Sequence, residues 1–208
     1  MNARPAGDAH NRLLDAAIVA IRTRGFAATS VDELCRAAGV TKGAFFHHFA
    51  SKAALGVAAA EHWSETTGAL FAAAPYHGMA DPAARVLAYV DFRKALLQGG
   101  TPDYTCLVGT MVQEVHQSHP DIRAACDASI SGHAATLEAD IAAALEARGL
   151  TGRFSAESLA LFTQATIQGA FILAKARNDS AVAADVLDHL RRYLENAFNA
   201  NTEGNGHD

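Results

Sequence analysis

One stretch, from Thr29 to Lys52, constrains the fold more than any other part of the chain. It begins with Ser30 and Glu33 at the spacing of a capping box, in which two free N–H groups at a helix start are bonded reciprocally. Apolar residues then recur three and four positions apart until Gly39, a residue type that readily adopts the left-handed backbone of a helix end. Thr41 is a favoured cap for a second helix directly afterwards. The pattern predicts a helix-turn-helix, a motif whose second helix enters the DNA major groove.

The residues in and before this stretch resemble the TetR (tetracycline-repressor-like) family. G-V-T-K-G-A-F-F-H-H-F-A-S-K-A-A-L is similar to the end of that family's DNA-binding domain, and L-L-D-A-A with G-F-A-A-T-S-V-D-E-L is similar to its start. The resemblance covers about Arg12 to Leu55. It implies an all-α fold, with an N-terminal three-helix helix-turn-helix domain followed by a larger helical ligand-binding and dimerisation bundle. It also implies a homodimeric transcriptional regulator, usually a repressor, which binds a palindromic operator in double-stranded DNA and is released by a small-molecule effector.

The recognition helix is predicted at Thr41 to His48. Its exposed N-terminal end carries the side chains that can reach base edges, whereas other donors contact phosphates and set the position of the protein. The family usually has Tyr where this chain has Phe46, so one phosphate donor is missing and stacking on a sugar or a thymine methyl group remains. The predicted DNA-binding residues are Thr29, Thr41, Lys42, Gly43, Ala44, Phe46, His47, His48 and Lys52.

Apolar periodicity and helix-breaking residues predict about nine helices in all. Besides the helix-turn-helix, they are expected near residues 12–24, 52–73, 82–98, 105–118, 120–148, 155–177 and 181–199. Residues 1–51 are predicted to form the DNA-binding domain and residues 52–200 the effector-binding and dimerisation domain. The polar, glycine-containing residues 201–208 are predicted to be disordered.

An effector pocket among the fourth to seventh helices is implied by the resemblance. Its predicted lining is apolar with a few polar groups, from Trp63, Phe71, Tyr89, Phe92, Cys106, Met111 and His116. Cys106 leaves two alternatives open. A thiol near a helix N-terminus is more reactive, and one subgroup of the family that responds to electrophiles or oxidants carries a cysteine at this point. Cysteine is also among the most buried residue types, so simple core packing is the other interpretation.

The two last helices are expected to form the dimer interface, because in the TetR family they pair with their counterparts in a second subunit. Both have broad apolar or small-residue faces, wider than one protomer usually covers. The predicted interface residues are Leu159, Phe162, Thr166, Gly169, Ala170, Leu173, Leu190, Tyr193, Leu194 and Phe198.

Charge and motif content narrow the possible functions. Residues 1–55 carry seven Lys/Arg and four Asp/Glu, whereas the remainder carries ten Lys/Arg and eighteen Asp/Glu. This split suits phosphate contact at one end of the molecule only.

Glu114, His116 and His119 could suggest a metal site, although a polar helix end is the alternative. No catalytic motif, metal site or cofactor is predicted, and an enzyme is not expected. Without a signal sequence or a membrane-spanning run, a cytoplasmic location is expected. The competing function is an all-helical small-molecule binding protein or enzyme without DNA binding, favoured only by Phe46.

Overall fold

The predicted all-α fold is confirmed in a computed structural model, which describes residues 6–152 and 154–199. Within these ranges there is no β-strand beyond a single bridge between Thr151 and Phe154. The predicted tail at residues 201–208 lies outside the described residues. The helices are α1 (Ala6–Arg24), α2 (Val31–Ala38), α3 (Lys42–His48), α4 (Lys52–Ala72), α5 (Pro82–Ala95), α6 (Thr101–Tyr104), α7 (Leu107–Val115), α8 (Pro120–Ala135), α9 (Glu138–Ala147), α10 (Ala156–Arg177) and α11 (Ala181–Asn199), with a 3₁₀ turn at Pro75–Gly78.

The single helix expected over residues 120–148 is wrong, because the chain turns after α8. The Thr136 hydroxyl and its backbone N–H both bond the carbonyl of His133, at 2.7 and 3.3 Å. This tighter i to i+3 bonding ends α8, and α9 starts two residues later at Glu138. A short hydroxyl-bearing side chain that bonds its own backbone leaves little trace in apolar periodicity.

The loop expected before the sixth helix also differs, since it contains the one-turn helix α6. Asp103 Oδ2 accepts a hydrogen bond from the N–H of Gly100 at 2.7 Å, which holds the chain in that turn. The next helix, α7, begins at Leu107 with Cys106 as its N-cap, and ends at Val115 instead of continuing to residue 118. Further differences are confined to helix ends: α1 begins at Ala6, and α5 ends at Ala95.

The chain divides into two compact units. Unit 1 comprises residues 1–69 and 105–130, and unit 2 comprises residues 70–104 and 131–208. Unit 1 therefore includes α7 and most of α8 in addition to residues 1–51, so it is larger than the predicted DNA-binding domain. The functional boundary at residue 51 remains a prediction.

The core of unit 1 joins the three N-terminal helices to α7 and α8. Leu13, Ala17 and Ile21 form the buried stripe of α1, as their helical spacing predicts. They pack in one apolar cluster with the buried residues of the later helices: Leu34, Phe45, Leu55, Leu107, Met111 and Ile122. α2 and α3 are thus supported by a core that they could not form alone.

Unit 2 is a helical bundle in which α10 packs on α11 and α9, and α5 packs on α9 and α11. Tyr89, Ile141, Ile167 and Leu187 are fully buried in it. α10 is long and apolar enough to cross a membrane by length and composition alone, with a mean hydropathy of 1.2, and 44 % of that window is buried. The helices of a soluble core have the same character. α10 ends at Asn178, whose φ of 49° allows the sharp turn into α11.

Candidate nucleic-acid interface and ligand site

The connection between α2 and α3 has the geometry of a helix-turn-helix. Ser30 Oγ accepts a hydrogen bond from the Glu33 N–H at 3.2 Å, and Glu33 Oε2 accepts one from the Ser30 N–H at 2.9 Å, so the capping box is confirmed. α2 ends at Gly39, where φ is 63°. The next N–H, of Val40, donates to the carbonyl of Cys35 at 2.9 Å. This closed turn fixes the point at which α3 can start.

α3 is held by one buried side chain and presents most of the others outward. Thr41 Oγ1 accepts a hydrogen bond from the Ala44 N–H at 3.1 Å and so caps the helix. Phe45 is completely buried in the unit 1 core. Lys42, Gly43 and His47 are exposed, Ala44 and His48 are half-buried, and the Phe46 side chain is 56 % exposed. The exposed surface therefore combines an ammonium group with a large aromatic ring.

Lys42 is tied to α2 by an ion pair on the surface. Its Nζ lies 2.6 Å from Asp32 Oδ1, and the two side chains are 62 % and 58 % exposed. The hydrogen bond to Asp32, with its negative charge, raises the pKa of Lys42. Because exposed ion pairs contribute little to stability, the ammonium group can exchange this carboxylate for a phosphate or a base edge at small cost.

Lys52 and Thr29, both predicted to contact phosphate, have partners inside unit 1. Lys52 Nζ donates to the carbonyls of Phe26 at 3.0 Å and Thr29 at 2.9 Å, and lies 4.4 Å from the centre of the Phe26 ring. The Thr29 hydroxyl is buried and donates to the carbonyl of Gly25 at 2.8 Å. These bonds fix the connection between α1 and α2. Because their donors are already occupied, the geometry favours a positioning role for both residues over direct phosphate contact.

His48 packs against α1 near the end of α3. The rings of His48 and His10 are 5.7 Å apart, and the His10 ring is stacked on Phe49 at 4.9 Å. Burial lowers the pKa of His48, and nearby His47 and His10 lower it further. His48 therefore favours the neutral form at neutral pH and offers a weaker phosphate contact than a cation would.

Three predicted pocket residues meet in an aromatic cluster of unit 2. The Phe71 ring lies 5.6 Å from Tyr89 and 5.4 Å from Phe92. His133 joins them, with its ring 4.6 Å from Phe71 and its Nε2 3.0 Å from the Tyr89 hydroxyl. Burial, and secondarily the charge of Arg93, lowers the pKa of His133 to about 3. The imidazole is therefore neutral at physiological pH.

The other predicted pocket residues belong to unit 1. Trp63 is half-buried beneath the Arg22 guanidinium, 4.8 Å from its ring centre, and Met111 is completely buried in the core. Cys106 is half-buried, and its Sγ accepts a hydrogen bond from the Gly109 N–H at 3.4 Å. His116 is exposed at the end of α7. The seven predicted pocket residues are thus divided between the two units, three in unit 2 and four in unit 1.

The side chains of two of the three residues that suggested a metal site, Glu114 and His119, have other partners. Glu114 Oε2 accepts a hydrogen bond from the Ala27 N–H at 2.8 Å, close to Gly25, and the His119 ring packs edge-on against Phe26 at 5.6 Å. Among the described residues no group of three or more His, Cys, Asp or Glu is placed to hold a metal ion. The remaining thiols, Cys35 and Cys126, are buried, and burial raises the pKa of Cys126 to about 12.

The predicted dimer residues separate into a buried set and an outward set. Leu159, Ala170, Leu190, Leu194 and Phe198 are buried within unit 2. The outward set comprises Phe162, Leu173 and Tyr193, each 43–44 % exposed, with half-buried Thr166 and Gly169. The Phe162 and Tyr193 rings are 4.8 Å apart, so α10 and α11 contribute to one apolar patch.

Comparison with protein-family models decides the family. Residues 13–59 match the model described as bacterial regulatory proteins, tetR family. Residues 82–189, more than half of the chain, match the C-terminal domain of LmrA/YxaF-like transcriptional regulators. This chain belongs to the TetR family of transcriptional regulators.

Relatives of this TetR-family regulator include both a curated protein and solved structures. It is 32 % identical over 117 residues to the transcriptional regulator AcuR of Cereibacter sphaeroides; the match covers 56 % of this chain and 53 % of AcuR, so it spans about half the length of that relative. A regulatory protein TetR from Rhodobacter sphaeroides is 25 % identical, with a TM-score of 0.78, over 89 % of this chain and 98 % of that one. The reduced form of E. coli NemR is 26 % identical, with a TM-score of 0.77, over 89 % and 96 % of the two chains.

Several residues near the candidate sites of this TetR-family regulator are not distinguished by the sequence patterns. His10 lies against α3, and Asp32 pairs with Lys42, although neither belongs to the recognition helix. In unit 2, Arg93 and His133 accompany the aromatic cluster. A charged residue within an otherwise apolar helix face was the available signal for Arg93. His133 had no comparable signal, because only the fold brings it beside Tyr89.

Proposed function

We propose that this regulator is a homodimeric, ligand-responsive repressor that reads a palindromic operator in the cytoplasm. The observation that carries the proposal is the surface of α3, where Lys42, Gly43, Phe46 and His47 are exposed while Phe45 anchors the helix. Two such helices, related by a dimer axis, would enter successive major grooves. Thr41 and Ala44 complete the contact surface, and His48 adds a neutral donor.

Thr29 and Lys52 receive a different role in this proposal. Their hydrogen bonds to the Gly25, Phe26 and Thr29 carbonyls support a role in holding the helix-turn-helix in place. Phe46 replaces the phenolic donor usual in the family with an apolar ring. We expect it to pack on a deoxyribose or a thymine methyl group.

The decisive experiment is a salt titration of binding to double-stranded DNA. Fluorescence anisotropy with random-sequence duplex is expected to give an affinity that falls linearly with salt on a logarithmic scale. Selection from a random library should then yield a site with two-fold symmetry. Absence of any affinity at low salt would favour the alternative, an all-helical small-molecule binding protein or enzyme without DNA binding.

The dimer surface is proposed to be the outward patch of α10 and α11, centred on Phe162, Leu173 and Tyr193. Three large apolar side chains with this exposure on adjacent helices favour burial by a second copy. Phe162→Asp is expected to give monomers in sedimentation experiments at micromolar concentration. Val19→Asp is the matched control, because Val19 is 64 % exposed in unit 1 and lies outside the patch. A dimer that survives Phe162→Asp would refute this assignment.

The effector is proposed to be a reversibly bound small molecule in unit 2, near Phe71, Tyr89 and Phe92. Effector binding need only favour the conformation that does not bind DNA by several kcal/mol to release the protein from the operator. The second candidate is covalent sensing at Cys106, supported by its partial exposure and its position at the N-cap of α7. Cys106→Ser separates the two, since it should abolish release by an electrophile and leave release by a reversible ligand intact. No catalytic activity is proposed.

A further inference from the structure

Arg93 differs from the other half-buried arginines described in unit 2, because its charge has no carboxylate partner among the described residues. Arg85 pairs with Asp140 at 2.7 Å, Arg148 with Asp81 at 2.9 Å, and Arg191 with Asp91 at 3.0 Å; these three pairs define the usual arrangement in this unit. Arg93 instead donates from Nε to the Tyr89 hydroxyl at 2.9 Å and from Nη2 to Gln164 Oε1 at 3.5 Å. Its guanidinium also lies 4.4 Å from the centre of the Phe71 ring.

The hydrogen-bond acceptors and rings described around Arg93 are neutral. The Tyr89 oxygen accepts a hydrogen bond from Arg93 and lies 3.0 Å from Nε2 of His133, whose imidazole is uncharged. Burial raises the pKa of the nearby Tyr76 to about 12, which keeps that phenol protonated. Partial burial of a cation costs free energy that a nearby negative charge normally offsets, and the neutral groups described around Arg93 supply no such charge.

One donor without a described hydrogen-bond partner lies farther along the face of α10 that contacts Arg93. Gln164, Gln168 and Phe171 are spaced four and three residues apart, so they share one face of the helix. The amide nitrogen of Gln168 is buried without a hydrogen-bond partner among the described residues. The hydroxyl of Tyr104 is also buried without a hydrogen-bond partner among the described residues, and the centre of the Tyr104 ring lies 6.2 Å from that of Phe171.

Buried donors without partners are costly and rare, so two of them in the same unit as a guanidinium that lacks a described carboxylate partner indicate a missing acceptor. The shared face runs from residue 164 to residue 171, about 10 Å along the helix axis. It lies opposite the outward stripe of Phe162 and Leu173, so it is separate from the proposed dimer surface.

We infer that unit 2 binds a small organic monocarboxylate, whose carboxylate group pairs with Arg93 and whose apolar part lies against Phe71 and Phe92. Gln168 and Tyr104 donate to acceptor atoms farther along the ligand. A carboxylate matches the planar guanidinium with two parallel hydrogen bonds. A phosphate dianion would leave one negative charge uncompensated in a site that holds a single cation. The statement that this ligand is the effector rests on the proposed regulatory function, whereas the existence of the binding site does not depend on it.

The test compares acids with their uncharged amides on the full-length protein. The probes are 5-oxohexanoate with 5-oxohexanamide and 4-acetylbenzoate with 4-acetylbenzamide, each with a carbonyl acceptor beyond the carboxylate for Gln168 and Tyr104, and phenylphosphonate represents the phosphate-like class. Calorimetry and thermal melting should show that at least one carboxylate binds and stabilises the protein, with an affinity about tenfold to a hundredfold above that of its amide, the range for a hydrogen-bonded charge pair. Equal binding of acid and amide, stronger binding of phenylphosphonate, or no binding of any carboxylate would overturn the inference.

Variants locate the site. Arg93→Gln should lose about the same factor in carboxylate affinity and leave amide binding unchanged, whereas Arg93→Lys should retain part of it. Arg192→Gln is the matched control, because it removes the same charge at an exposed position of unit 2. Tyr104→Phe removes a donor without a partner, so it should raise the melting temperature of the free protein and reduce the shift produced by the carboxylate. If Arg93→Gln does not fold, Tyr104→Phe and Arg93→Lys decide; carboxylate affinities unchanged in both would refute the site.

Operator binding distinguishes failure of the inference from failure of the proposed function. Sequence-specific DNA binding without carboxylate binding would leave the function standing and reject the carboxylate site. Carboxylate binding by Arg93 without any DNA affinity would reject the regulator function and keep the site. Both activities together, with DNA released as the carboxylate saturates, would support the two proposals.

Discussion

Replacing Lys52 with methionine tests whether its ammonium group holds the helix-turn-helix together or contacts DNA. The motif in this family suggests a phosphate contact. The structure places Nζ 3.0 Å from the Phe26 carbonyl and 2.9 Å from the Thr29 carbonyl, with a longer contact of 3.5 Å to the Ala27 carbonyl. Methionine retains an unbranched stem that can stay on the Phe26 ring, so the change removes mainly the charge and the donors.

The expected loss of stability is large for a half-buried position. Hydrogen bonds from a charged group contribute about 1.5–3 kcal/mol each and are not additive, so the two short bonds together give about 2–4 kcal/mol. For a chain of this size each kcal/mol lowers the melting temperature by about 2–4 °C, so a decrease of about 5–15 °C is expected. Lys42→Met is the matched control, because an exposed ion pair contributes at most about 1 kcal/mol.

For DNA binding the expected order of the two effects is reversed, so that replacing Lys42 changes binding more than replacing Lys52 does. Removing one lysine that pairs with a phosphate lowers the slope of log affinity against log salt by about 0.9. Lys42→Met is expected to reduce that slope or relax the sequence preference, whereas Lys52→Met should leave the slope unchanged at a temperature where the variant is folded. A reduced slope for Lys52→Met with an unchanged melting temperature would refute the positioning role.

Three further changes test the local geometry. Ser30→Ala removes the capping box and should cost about 1 kcal/mol in chemical denaturation; no change would mean that the cap does not contribute. Gly39→Ala should cost about 1–2 kcal/mol from its left-handed backbone. Gly25→Ala should cost more, because a Cβ there would displace the Glu114 carboxylate and break its hydrogen bond from the Ala27 N–H; equal losses would contradict this difference. His133→Gln should flatten the pH dependence of stability. The pKa of His133 is lowered from 6.5 to about 3 in the folded protein, so between these pH values only the unfolded chain binds the proton. The free energy of unfolding of the wild type therefore decreases as the pH falls through this range, by ~1.4 kcal/mol per pH unit. Denaturant titrations across that range check this, and parallel curves for variant and wild type would exclude it.

The sequence predicted the elements whose causes are local. A capping box, an apolar stripe and a glycine turn lie within a few residues of one another, so the positions of α2 and α3 follow from the order of residues alone. The start of the helix expected near residue 155 is also set locally, because Ser155 accepts a hydrogen bond from the Ser158 N–H and so caps α10. Where the deciding contact is a side chain bonded to its own backbone, as at Thr136, periodicity predicted one helix instead of two.

Roles that depend on distant partners could not be read in this way. Lys52 has the residue type and position of a phosphate contact, but Phe26 and Thr29 are brought to it only by the fold. Aromatic residues at helical spacing suggested a pocket, yet spacing cannot tell that Met111 lies in the core of unit 1 while Phe71 lies in unit 2. For Arg93, the informative property is the lack of a carboxylate among its described neighbours, which only the folded arrangement can reveal.

The single anchor of α3 has a consequence for how such a protein could change its operator. Because Phe45 alone in this helix is completely buried, substitutions at the outward positions alter chemistry at the DNA without opening a cavity in the core. New recognition preferences could therefore accumulate there by single changes, each tolerated by the scaffold. A randomised library at Lys42, Gly43, Phe46 and His47 should consist mainly of folded proteins, and would make this chain a practical starting point for engineered specificity.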